Sequence, residues 1–107
     1  MSEQKQQTRA QQLLGDIAPK LAEITDNVLF ADVWERSGLS PRDRSLITVA
    51  ALIANGNTEQ LTSHLNRAKA NGITQEEIAE VITHLAFYAG WPRAISGALV
   101  AKEVFRK

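Results

Sequence analysis

Two histidines, each with a companion at helical spacing, are the side chains of this sequence best suited to moving protons. His64 and Arg67 are three apart and His84 and Tyr88 are four apart, so each pair shares one face of a helix if its segment is helical. An unperturbed imidazole titrates near ~6.5 and can accept or donate a proton at neutral pH, while a phenol can hold an oxyanion or orient a ring nitrogen. Both histidines also border apolar stripes, Leu61, Leu65 and Ala68 in one case and Val81 and Leu85 in the other. A packing role is therefore the competing reading for each.

Anion recognition has its own candidates. Arg42 and Arg44 follow Ser40-Pro41, and Arg93 follows Pro92, which places all three in first turns of helices. Positive charge there opposes the macrodipole, but backbone N–H groups and a guanidinium aimed at the same place suit a carboxylate or phosphate. The alternative for any one of them is a solvated arginine with a distant carboxylate partner. Trp34, Phe87 and Trp91 can wall an apolar pocket or serve as ordinary core or interface packing. Glu76, Glu77 and Glu80 read as charge at a helix start, with Glu80 four residues before His84 and able to hold its imidazole. No metal site is expected: there are two histidines and no cysteine, and carboxylates do not cluster around the histidines at ligand spacing.

The elements that must carry these residues are helices, because apolar residues recur at three and four spacings and nowhere alternate. Leu13, Leu14, Ile17, Leu21 and Ile24 fall on one stripe, with Pro19 marking a kink or a break, and a short amphipathic piece spans Val28 to Arg36. Ser40-Pro41 opens a helix that runs to Asn55-Gly56; Asn57 and Gln60, in the form of a cap and its N3 partner, open the next, which ends at Asn71-Gly72. Thr74 to Glu77 is a capping box for a helix reaching Tyr88 or Ala89, and Pro92 at N1 starts a last helix whose end carries Lys102, Arg106 and Lys107. The expected fold is all-α, about six helices, with residues 1–9 a flexible polar lead and 10–107 a single domain. Leu46 to Ala54 is apolar nearly all round, so a partner chain covers one flank of it or its own neighbours wrap it.

Composition removes several function classes. Twelve basic and twelve acidic residues in 107 give zero formal charge, unlike a chain built to coat nucleic acid or an anionic membrane. A helix-turn-helix reading of Asn57 to Tyr88 fails, because Glu76, Glu77 and Glu80 would face phosphates. The longest apolar stretch is about half of a membrane span and no secretory signal is visible, so cytoplasmic residence is the expectation. Without cysteine there is neither disulfide nor thiol chemistry.

The run from Trp34 to Leu52, followed by His64-Leu65-Asn66-Arg67-Ala68, Asn71 to Ile78 and Val81 to Ala94, resembles the carboxymuconolactone decarboxylase family in order and spacing over about residues 28 to 105. The resemblance implies an alkylhydroperoxidase D-like helical bundle assembled as trimers or hexamers. One branch of the family uses a glutamate, a CxxC pair and a histidine as a thiol proton relay. Counting from His64, the cysteine positions fall on Asn57 and Gln60 and the glutamate on Ser45, so thiol peroxidase activity is not expected. The cysteine-less branch keeps the equivalents of Arg44, His64, Arg67, His84 and Tyr88. By resemblance, it removes carbon dioxide from 4-carboxymuconolactone in protocatechuate catabolism, without a cofactor. On that reading Arg44 and Arg67 hold carboxylates, His64 transfers a proton, His84 and Tyr88 serve the oxyanion, and Trp34 supplies an apolar wall. The partners implied are a small anionic organic substrate and further copies of the chain. The alternatives are another small carboxylate or lactone as substrate, or a non-catalytic oligomeric binding protein.

Overall fold

The computed structural model describes residues 7–106, and all regular structure among them is helical. None of the described helices is long and apolar enough to cross a membrane. The chain divides into two compact units, Met1–Gly38 and Leu39–Lys107.

In the first unit, α1 (Arg9–Leu14) is opened by Thr8, whose side chain accepts from Gln11 N while the Gln11 side chain accepts from Thr8 N, a reciprocal capping box. Most of the polar lead expected over residues 1–9 lies outside the described residues. Pro19 makes a break, as the first residue of α2 (Pro19–Ile24). The amphipathic piece expected from Val28 is instead a π-helical turn, Thr25–Phe30, and then a 3-10 turn, Val33–Glu35. Thr8 Oγ1 donates to Asp26 Oδ2 at 2.7 Å and ties the cap of α1 to the π turn. The apolar stripe is present but largely open: Leu13, Ile17 and Leu21 are all more than half exposed, and among the described residues of this unit only Ala22 and Trp34 are buried.

The second unit holds the four long helices α3 (Pro41–Asn55), α4 (Thr58–Ala70), α5 (Gln75–Ala89) and α6 (Trp91–Arg106). Ser40 caps α3 by accepting from Asp43 N, and Gly56 ends it at φ 73°, a left-handed position that suits glycine. Thr74 and Glu77 form the expected capping box of α5. Two expectations change. Asn57 occupies the N-cap of α4 but makes no side-chain capping bond, its backbone at φ −87° and ψ 66° being outside the extended geometry of the Ser40 and Thr74 caps. Helix α6 starts at Trp91, one residue before Pro92, because Gly90 at φ 97° turns the chain between α5 and α6 alone.

Val49 and Ile53 of α3, Leu61 and Leu65 of α4, Ile78 of α5 and Val104 of α6 make one core. Each fully buried aliphatic side chain contributes about 1.5–3 kcal/mol relative to exposure. Gly97 lets α6 approach α3, since a Cβ there would sit 3.0 Å from Ile53 Cγ1. With Val49 and Ile53 turned inward, the apolar α3 segment shows Ile47 to solvent at 56% exposure.

Candidate functional site

Arg44 lies in the opening turns of α3, and His64 and Arg67 lie on α4, which packs against α3. A hydrogen bond sets their register. Ser45, fully buried, accepts at Oγ from Asn71 Nδ2 at 2.9 Å, and the same amide donates to the Pro41 carbonyl at 3.3 Å. Asn71 is the C-cap residue of α4. The start of α3, with Arg44, is therefore held beside the last turn of α4, with Arg67, and His64 stands one turn earlier on α4. Sequence reasoning missed this clamp: Asn71 reads as a helix terminator and Ser45 only as the place where a relay glutamate is lacking. The signal available was a hydroxyl in an otherwise apolar core stripe, which needs a polar partner when buried.

His64 is half-buried, with its Nδ1 shut away from solvent, and Arg44 is half-buried with its Nε enclosed. Burial pushes the imidazole below its ordinary value, and the nearby positive charge of Arg67 adds to that push. Both causes disfavour the imidazolium, so at neutral pH His64 is held mainly as a neutral ring. Arg67 itself is exposed.

The rings of His84 and Tyr88 meet at a tilt, 4.9 Å between centroids, on the exposed side of α5. His84 lines an open groove of about 500 Å³ between α3 and α5, together with Leu46, Ile47, Ala50 and Glu80. Neither Arg44, His64 nor Arg67 lines that groove. The six predicted residues thus fall in three places: Arg44, His64 and Arg67 on the α3–α4 pair, His84 and Tyr88 on the α3–α5 side, and Trp34 in the first unit, stacked on Phe30 at 5.9 Å. Phe87 and Trp91, the other aromatic candidates, meet edge to face at 5.2 Å.

The remaining first-turn arginines have structural occupations. Arg42 pairs with Glu77, the N3 residue of the α5 capping box. Arg93 lies against Gly56 at the C-terminus of α3, so close that a Cβ at position 56 would come within 2.6 Å of Nη1. That is the end of a helix where positive charge is favoured. Among the described residues no group of three His, Asp or Glu side chains could hold a metal ion.

The sequence matches the carboxymuconolactone decarboxylase family over residues 19–103. The chain belongs to that family. All six predicted residues fall within the matched stretch. This family member is 34% identical over 103 residues to the 4-carboxymuconolactone decarboxylase of Acinetobacter baylyi, covering 96% of this chain and 77% of that one. It is 33% identical over 81 residues to a nitrosuccinic acid decarboxylase of Metarhizium robertsii, covering 76% of this chain and 57% of the relative. An uncharacterized 15.0 kDa protein of Paracoccus denitrificans is 31% identical over 78 residues, 71% of this chain and 58% of its own.

Proposed function

We propose that this chain is a cofactor-independent carboxy-lyase acting on a small lactone carboxylate of the 4-carboxymuconolactone type. The observation that carries the reading is the lowered basicity of His64 next to the charge of Arg67, on a helix packed against the one that carries Arg44. Two relatives named as decarboxylases support the reaction class.

Decarboxylation breaks the bond between carbon and the carboxylate carbon heterolytically. Carbon dioxide leaves, the electron pair moves into the conjugated lactone as a dienolate, and the carbon takes up one proton. Arginines suit the carboxylates of the substrate because a guanidinium binds them in bidentate fashion and stays charged. His64, neutral at rest, takes up a proton from solvent before it can act, and the imidazolium so formed is a stronger acid than an ordinary one, which favours passing that proton to carbon. His84 and Tyr88, which the resemblance assigns to the dienolate oxygen, stand on the α3–α5 side of the single chain, so their part in this step requires a second copy to bring that side to the substrate.

Supplying 4-carboxymuconolactone to the purified full chain and following loss of the lactone tests this reading. His64→Ala should lower kcat by roughly 10²–10⁴-fold, the usual worth of a positioned acid or base. Arg44→Ala should act mainly by raising KM. Inactivity of the wild type, or full activity of both variants, would overturn the assignment. A second substrate class is favoured by one observation, the similarity to a decarboxylase of nitrosuccinic acid. A panel of small dicarboxylates beside the lactone separates the two.

A further inference from the structure

A second concave feature has no part in the site above. Helices α5 and α6, joined by Gly90 alone, run antiparallel, so Gln75 lies at the same end of the pair as Lys102 and Arg106, and Phe87 at the same end as Trp91. Between them is a groove of about 500 Å³ at the Gln75 end, and a further cavity of about 340 Å³ at the Phe87 end. The two share Ile82, Thr83 and Ala98 as lining and so adjoin end to end along the pair, an arrangement called the α5–α6 channel. From Gln75 to Phe87 it is about 18 Å long, at roughly 1.5 Å per helical residue.

The chemistry of the channel is graded along its length. Its middle is mostly aliphatic, with Ile78, Ile82 and alanines at 79, 98 and 101 beside Thr83. At one end stand two cations, Lys102 and Arg106, one helical turn apart. At the other, Phe87 and Trp91 meet edge to face, 74% and 55% exposed. Among the described residues no Asp or Glu lines either part; Arg106 is ion-paired at 3.5 Å with Glu103, which stands outside the lining, so a ligand carboxylate would meet Lys102 and share Arg106 with Glu103. Phe105, at the cationic end, has Lys69 Nζ over its ring at 5.4 Å from the centroid. An elongated apolar body with one negative terminus matches this arrangement in length, polarity and sign. A neutral or cationic amphiphile matches it in length and apolar body but not in sign.

We propose that the α5–α6 channel binds a free, unbranched aliphatic monocarboxylate of about the length of dodecanoate, its carboxylate between Lys102 and Arg106 and its chain running toward Phe87 and Trp91. None of the six residues assigned to decarboxylation lines the channel, so the proposal stands apart from that reading. Titrating the isotopically labelled full chain with dodecanoate below its micelle concentration, and following the two indole N–H signals and the backbone amides by NMR, tests it. The expected result is saturable one-to-one binding that shifts the Trp91 indole and the amides of α5 and α6. Dodecanol and dodecyltrimethylammonium should bind at least tenfold more weakly. The double variant Lys102→Glu, Arg106→Glu should lose tenfold or more in dodecanoate affinity, and Lys102→Gln, a milder change, a smaller part of it. Absence of saturable binding, shifts centred on Arg44 and His64 instead, or equal affinity for dodecanol would each overturn the proposal. So would a self-associated chain in which the channel is closed to dodecanoate.

Discussion

His64 concentrates the chemical argument of this molecule in one side chain. Its imidazole is half-buried and faces the charge of Arg67, and both circumstances lower its pKa, burial more than charge. The sign has two consequences. For stability, the native state prefers the neutral ring, so the contribution is complete above the ordinary histidine value of ~6.5 and is lost as pH falls through the lower folded value. For reactivity, any step that uses the imidazolium weakens as pH rises through that same lowered value. An NMR titration of the His64 ring in the wild type should give a midpoint below the ordinary one. Arg67→Ala should move it upward without fully restoring it, because the larger cause, burial, remains. A midpoint unmoved by Arg67→Ala would remove Arg67 from the electrostatics of the site. The pairing of His64 with Arg67 was legible from a spacing of three, since the helix rule needs nothing else. What no spacing could reveal was the buried bond between Ser45 and Asn71, which joins residues 26 positions apart.

At the scale of elements, the caps explain where the helices start and how two of them are tied. Glu77 closes the capping box of α5 by accepting from Thr74 N at 3.0 Å, and the same carboxylate receives Arg42 from the first turn of α3. The backbone bond from Thr74, and then the Arg42 guanidinium, hold its carboxyl below the usual glutamate range. The folded pKa being the lower one, the contribution is complete above the unfolded glutamate value of ~4.3 and disappears as pH falls through the folded value. Glu77→Gln keeps an acceptor at N3 but removes the charge that Arg42 meets. Its melting temperature, followed by circular dichroism, should lie below that of the wild type at pH 7, and the two should converge in acid. A difference that persists unchanged at pH 3 would show that charge is not its cause. Ser40, Thr74 and the glycines at 56 and 90 made the second unit readable, because each fixes a local geometry that its type favours. The first unit was harder to read. Residues 25–35 carry no cap or breaker that separates a π turn and a 3-10 turn from one short α-helix.

For the whole molecule, the question is what its uncovered apolar surface is for. A chain of 107 residues can bury only a modest core, and Ile47 remains 56% exposed on the helix whose Val49 and Ile53 form that core. Leu46, Ile47, Ala50, Val81 and Leu85 make a largely apolar lining on the α3–α5 side, shared with His84 and Glu80. The balanced charge of the chain offers no long-range repulsion to keep copies apart. We propose that this side is where copies of the chain meet, which would place His84 and Tyr88 at an interface and give the outward flank of α3 the partner that its composition asks for. Analytical ultracentrifugation at micromolar concentration should find the wild type as a trimer or hexamer. Ile47→Glu should shift it to monomer, because an unpaired carboxylate cannot be buried in an apolar contact without a cost of several kcal/mol. Since Ile47 points to solvent in the single chain, the variant should keep its helical circular dichroism, which separates a lost interface from a lost fold. A monomeric wild type, or an Ile47→Glu chain of unchanged mass, would show that α3 is exposed for another reason.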